Sequence, residues 1–190
     1  AQRNRHWAQV EFNEKPLRIG ILGIGHLGMD AALKLQHLGF DVMGYSVHPK
    51  ETPFPSFSGA ALGDFLKQIN VLVCVVPFTQ KTKGLLSQSL FNQLEQPTYL
   101  INVSRGAVQV EKDILTALEK GQLNGAFLDV FEEEPLPTES PLWLHPKVKI
   151  TPHIASLTYP KEGVYQVLEN FERVQKGMPL LNLVDRSKMY

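Results

Sequence analysis

The chain has 190 residues, 43% hydrophobic and 20% charged, the make-up of a folded domain rather than a disordered or fibrous chain. Nineteen basic residues offset nineteen acidic ones, which removes the electrostatic case for nucleic acid or an anionic membrane as partner. The single cysteine, Cys74, excludes an intrachain disulfide, and no apolar run approaches the roughly 18 residues that span a bilayer, so the expected setting is the cytoplasm.

There is no initiator Met, and the opening Ala1-Gln2-Arg3-Asn4-Arg5-His6-Trp7 reads as the middle of a helix, which points to a fragment. Short β-rich runs then follow at residues 17–22, 41–45, 70–76, 98–103, 125–130 and 148–151. Between them helical spacing predicts helices over 27–38, closed by Gly39, over 60–68 and 87–94, and over 111–120, closed by Gly121. Strands apolar almost throughout, alternating with helices, predict an α/β fold: a Rossmann-type doubly wound parallel sheet of about six strands with helices on both faces. Residues 48–59, with three prolines and two serines, read as a surface loop. Residues 132–147 carry four prolines and are long for a βα connection, which often marks a functional loop. A last amphipathic helix is expected over 162–176, with Val164, Val167, Leu168, Phe171 and Val174 on one face, before a tail without periodicity.

The first strand runs straight into Gly23-Ile24-Gly25-His26-Leu27-Gly28, the G-x-G-x-x-G pattern at a strand-to-helix junction. Gly23 suits the tight turn, Gly25 a close approach to a pyrophosphate, and Gly28 close packing of helix on strand. The helix N-terminus offers unpaired N–H groups and partial positive charge to the phosphates. In this turn the backbone of His26 matters more than its ring. An NAD-preferring site places Asp or Glu at the end of the second strand to bind the ribose 2′-hydroxyl. Here Ser46 holds that place, which removes repulsion against a 2′-phosphate, and His48 and Lys50 supply nearby positive charge. NADP(H) is therefore favoured over NAD(H); the alternative leaves His48 and Lys50 as solvated loop residues.

Ligands of open parallel sheets bind beyond the carboxyl ends of the strands. Arg105, Glu134 and His153 fall at three such ends, far apart in sequence yet free to converge over one edge of a cofactor. Arginine grips a carboxylate bidentately, histidine exchanges a proton near neutrality, and a neighbouring carboxylate orients the histidine ring.

The glycine turn, Val103-Ser104-Arg105-Gly106, the run from Leu128-Asp129-Val130 through Glu134-Pro135-Leu136-Pro137, and Thr151-Pro152-His153-Ile154-Ala155 follow one another in a familiar order. Over nearly its whole length the chain resembles the D-2-hydroxyacid dehydrogenases. Pro141-Leu142-Trp143-Leu144-His145-Pro146 and Val184-Asp185-Arg186 look most like the glyoxylate/hydroxypyruvate reductase branch. The resemblance implies Arg105 as substrate anchor, His153 as acid/base and Glu134 as its partner. It also implies that Asp129 contacts the nicotinamide end and that Val76, Pro77 and Thr82 line the cofactor path. Val103, at the head of the Arg105 segment, is counted with the cofactor residues, as are Leu27 in the glycine turn and Val47 beside Ser46. That branch often carries Arg where this chain has Val47, which keeps NAD(H) open as the cofactor.

Members of the family build a substrate domain from residues preceding this domain together with the chain's end. On that pattern residues 1–16 are a hinge helix, 17–178 the dinucleotide-binding domain, and 179–190 a tail returning toward the substrate domain. The resemblance further implies a homodimer through the cofactor domains, with the Trp7 helix a candidate contact. The implied activity is NAD(P)H-dependent reduction of a small 2-keto acid such as glyoxylate or hydroxypyruvate, with the isolated chain expected to be inactive. The alternative is a nucleotide-binding, corepressor-like module without turnover. The six histidines lack metal-ligand spacing, and Ser104 lacks a nucleophile-elbow context, so neither a metal site nor a hydrolase is expected.

Overall fold

Arg18–Leu22 forms the first strand, β1, buried from Ile19 onward because strands on both sides pair with it. A computed structural model describes residues 16–156 and 160–184. After β1 come α1 (His26–His37), β2 (Asp41–Ser46), β3 (Ser56–Ser58), α2 (Leu62–Gln68), β4 (Val71–Cys74) and α3 (Gln88–Phe91). The remainder is β5 (Thr98–Asn102), α4 (Glu111–Glu119), β6 (Leu123–Leu128), β7 (Val148–Ile150) and α5 (Pro160–Gln175). All strand pairs are parallel, and the order is β3-β2-β1-β4-β5-β6-β7. The chain winds outward from β1 in one direction and from β4 in the other, so the crevice between the carboxyl ends of β1 and β4 is the switch point of the sheet.

Seven strands stand where about six were expected. The addition, β3, lies inside the segment read as a surface loop. It is a three-residue edge strand with one neighbour, and its entry is pinned where Gly44 N–H donates to the Pro55 carbonyl at 2.9 Å. β6 begins at Leu123, two residues before the expected start, because Leu123 pairs with Thr98 directly after the Gly121 turn.

The two sheet faces bury two clusters. One joins Leu22, Leu72, Leu100, Leu123 and Leu128 to Phe65, Leu66, Phe91, Ile114 and Leu118 of α2, α3 and α4. The other packs Ile19, Ile21, Val42 and Val71 under Ala32 of α1. Each fully buried aliphatic or aromatic side chain contributes about 1.5–3 kcal/mol. Cover on the α1 side is incomplete among the described residues: Tyr99 of β5 and Phe127 of β6 are 41% and 47% exposed.

Gly39 ends α1 as expected, at φ 88°, with its N–H on the Gln36 carbonyl and the Phe40 N–H on the Leu35 carbonyl. The expected last helix is α5, and its predicted apolar face is open, with Val164, Val167, Leu168, Phe171 and Val174 all exposed. The start of the tail folds back on α5, where Asn170 exchanges hydrogen bonds with the Leu181 backbone. The expected hinge helix lies outside the described residues except for Pro16, as do residues 185–190 of the tail. Among the described residues no helix is long and apolar enough to cross a membrane.

Candidate active site

The glycine turn sits at the switch point. Gly23 adopts φ 108°, a conformation that suits glycine, and its N–H donates to the Tyr45 carbonyl of β2 at 2.9 Å. A Cβ at Gly28 would lie 2.0 Å from the Gly23 carbonyl oxygen, so only glycine lets the first turn of α1 close on the strand exit. A Cβ at Gly25 would meet nothing within 4 Å among the described residues, which leaves open space above the helix N-terminus. Among the described residues no side chain caps α1 at that end. Unpaired N–H groups and open space are what a pyrophosphate requires, and the cradle therefore fits a dinucleotide. His26 and Leu27, the first residues of α1, are both exposed.

At the end of β2, Ser46 Oγ donates to the His48 carbonyl at 2.6 Å and Val47 is exposed. Lys50 Nζ donates to the Ile24 carbonyl at 2.5 Å, which draws its charge onto the glycine turn. Val76 and Pro77 leave β4 beside this crevice, and the Val76 backbone N is 3.0 Å from where a Gly23 Cβ would stand. The hydroxyl of Thr82, placed by resemblance on the cofactor path, is committed to its own turn: it donates to the Pro77 carbonyl and accepts from Thr79 N–H. Val103 N–H donates to the Cys74 carbonyl, continuing the β4–β5 ladder toward Arg105.

Parallel strands bring Arg105, Glu134 and His153 to one edge, since they follow the carboxyl ends of the adjacent strands β5, β6 and β7. His153 Nδ1 donates to Glu134 Oε2 at 2.6 Å. The other carboxylate oxygen of Glu134 accepts from the Phe131 N–H at 2.9 Å. Burial raises the Glu134 carboxyl, but the bonds from His153 and Phe131 outweigh it and hold the group below its ordinary value. His153 itself sits at φ 53°, a turn conformation that a neighbouring carboxylate stabilises.

That carboxylate is Asp129, which is 4% exposed. Its Oδ1 accepts from Thr151 Oγ1 at 2.5 Å and Ile154 N–H at 2.9 Å, its Oδ2 accepts from Ala155 N–H at 2.9 Å, and its carbonyl takes the His153 N–H at 2.8 Å. Burial raises the Asp129 carboxyl; the three hydrogen bonds and the nearby His153 together lower it below the usual range. Sequence reasoning missed Thr151, whose hydroxyl completes this set; its place two residues before His153 was the available signal.

Arg105 is exposed, with Nη1 donating to the Ser104 carbonyl at 2.7 Å. Its neighbour Gly106 is jammed against the loop after β6, for a Cβ there would stand 1.6 Å from the Phe131 carbonyl oxygen. The Arg105 turn and the Glu134 loop are thus in backbone contact. The edge therefore offers a cation, an oriented imidazole and an ionised carboxylate beside a phosphate cradle. Among the described residues, no group of three or more His, Cys, Asp or Glu side chains is arranged to hold a metal ion.

Comparison with known proteins identifies the family. Residues 1–155 match the family described as D-isomer specific 2-hydroxyacid dehydrogenase, NAD binding domain. The chain is 44% identical over 187 residues to a glyoxylate/hydroxypyruvate reductase A of Photorhabdus laumondii, covering 97% of this chain and 60% of that protein. It is 43% identical over 182 residues to one of Klebsiella pneumoniae, covering 95% and 58%. Among solved structures it resembles an NADPH-dependent glyoxylate/hydroxypyruvate reductase of Sinorhizobium meliloti in complex with NADP and sulfate. The TM-score is 0.94 and the identity 35%, over 100% of this chain and 62% of that one. A D-isomer specific 2-hydroxyacid dehydrogenase of Xanthobacter autotrophicus in complex with NADPH and MES gives a TM-score of 0.92 at 40% identity, over 100% and 79%. The chain thus spans about three fifths of the length of the curated relatives it matches, 58–60%. It belongs to the D-isomer specific 2-hydroxyacid dehydrogenase family, matching the family's NAD-binding domain over residues 1–155.

Proposed function

We propose that the protein carrying this chain reduces a small 2-keto acid, glyoxylate or hydroxypyruvate, to the 2-hydroxy acid, with NADPH preferred over NADH. The observation that carries the reading is the 2.6 Å pair of His153 Nδ1 and Glu134 Oε2 on the sheet edge that also bears the dinucleotide cradle. A nicotinamide cofactor held by the glycine turn would supply the hydride for the keto carbon. Glu134 engages Nδ1, so Nε2 is left to donate a proton to the keto oxygen, and the ionised Glu134 stabilises the imidazolium before transfer. Arg105 holds the substrate carboxylate. Asp129 fixes the turn that aims His153, and its Oδ2, which among the described residues accepts only from Ala155 N–H, keeps acceptor capacity for a nicotinamide amide.

Three observations support NADPH: Ser46 stands where an NAD site carries a carboxylate, Lys50 lies against the glycine turn, and the two structural relatives hold NADP or NADPH. Val47 contributes no charge, so Lys50 carries that role. A cytoplasmic homodimer joined through the cofactor domains completes the proposal, on the family resemblance alone.

Calorimetric titration of the chain with NADPH and NADH, followed by keto-acid-dependent oxidation of NADPH by the full-length protein, tests the reading. Tighter NADPH binding and turnover are expected. Tight nucleotide binding without turnover of either keto acid overturns the enzyme reading in favour of a nucleotide sensor.

A further inference from the structure

Gln109 is 2% exposed, directly after the short 3-10 turn Gly106–Val108. A buried amide is costly unless both of its ends are paired. Here both are. Gln109 Oε1 accepts from Asn102 Nδ2 at 2.8 Å, and Gln109 Nε2 donates to the Val130 carbonyl at 3.0 Å. Asn102 Oδ1 in turn accepts from Ser104 N–H at 3.0 Å and from Ser104 Oγ at 2.7 Å.

The two ends of this relay lie on different catalytic loops. Asn102 closes β5 and, through Ser104, shapes the turn that presents Arg105. Val130 follows Asp129 and leads through Phe131 to Glu134. The polarity is fixed along the whole chain: turning the Gln109 amide over would set its NH2 against that of Asn102 and its oxygen against the Val130 carbonyl. An apolar side chain would fill the same space without linking the loops. At the same junction Gly106 presses on the Phe131 carbonyl, so the loops touch and the amide sets their register.

We infer that Gln109 is a positioning residue for the substrate anchor: its amide fixes where Arg105 stands relative to the Glu134–His153 pair. The inference rests on the reading of Arg105 as the keto-acid anchor. It requires that Gln109 act through Arg105, and this separates it from a residue that merely supports the core.

The test is a double-mutant cycle in the full-length protein with Gln109→Met and Arg105→Ala, reading kcat/KM for the keto acid beside NADPH affinity and Tm. Gln109→Met is expected to lower kcat/KM by about 10–100-fold, the effect of an ångström-scale misplacement, with NADPH affinity unchanged. In the Arg105→Ala background the same substitution is expected to cost less than about 2-fold, because its effect has already been removed. An equal loss in both backgrounds, or a lower Tm with unchanged kcat/KM, overturns the inference. If Gln109→Met does not fold, Gln109→Glu carries the same cycle, since it keeps the oxygen that accepts from Asn102 and removes the donor to the Val130 carbonyl. Additivity with Arg105→Ala overturns the inference there too. Absence of turnover in the unmodified protein, or indifference to Arg105→Ala, overturns the underlying functional reading and the inference with it.

Discussion

Asp129 holds His153 from two sides: its carbonyl takes the His153 N–H at 2.8 Å, and its carboxylate takes the N–H groups of Ile154 and Ala155, each at 2.9 Å. The left-handed turn that presents the imidazole is therefore bound to the strand beside it. Asp129→Ala keeps the carbonyl bond but takes the carboxylate away from the Ile154 and Ala155 N–H groups and the Thr151 hydroxyl, and is expected to cost about 1–3 kcal/mol of stability, measured by chemical denaturation. It is also expected to lower kcat more than NADPH affinity. Unchanged stability would show that the turn holds itself.

Asp129 and Glu134 both have carboxyl pKa values lowered in the folded state. A depressed folded pKa contributes stability that is present above the unfolded value of roughly 4 and lost as pH falls through the folded value. Unfolding free energy is therefore expected to drop on acidification below about pH 4, and the slope is expected to shrink in Asp129→Asn. A slope unchanged by that substitution would place the acid sensitivity elsewhere.

The glycines of the cradle make separable predictions. Gly25→Ala enters open space and is expected to change stability by no more than about 0.5 kcal/mol. Its methyl group stands where the pyrophosphate approaches, so calorimetry is expected to show at least about tenfold weaker NADPH binding, 1.4 kcal/mol. Gly28→Ala drives a methyl into the Gly23 carbonyl and is expected to lower Tm as well. Equal effects of the two on stability would contradict the geometry.

The proposed role of Lys50 separates the two cofactors by experiment. Lys50→Met removes a charge lying on the glycine turn and is expected to weaken NADPH binding about tenfold, with NADH binding unchanged, because only the 2′-phosphate needs the ammonium. Parallel losses for both nucleotides would assign Lys50 to the turn alone.

What was legible in the sequence follows from how local each signal is. The glycine turn was readable because strand, turn and helix are contiguous; Arg105, Glu134 and His153 lie beyond the carboxyl ends of the neighbouring strands β5, β6 and β7, but spacing left them only free to converge, and their roles came from the resemblance. β3 was hidden by Pro53 and Pro55 and by its length of three residues, too short for a periodicity. The set of bonds Asp129 makes with residues 151–155 was not readable, because it depends on β6 and β7 lying side by side. Gln109 gave no signal at all: a lone polar residue between Val108 and Val110 looks like the exposed side of a strand, and only the fold shows it buried between Asn102 and Val130.

The proposed role of His153, oriented by Glu134, is to supply the proton in 2-keto acid reduction. Its most direct test is keto-acid-dependent NADPH oxidation by the full-length protein and its His153→Ala variant, with NADPH binding measured on both. Turnover is expected in the first, a kcat lower by about 10²–10⁴-fold in the second, and equal NADPH affinity in both. Near-normal turnover without His153 would contradict it.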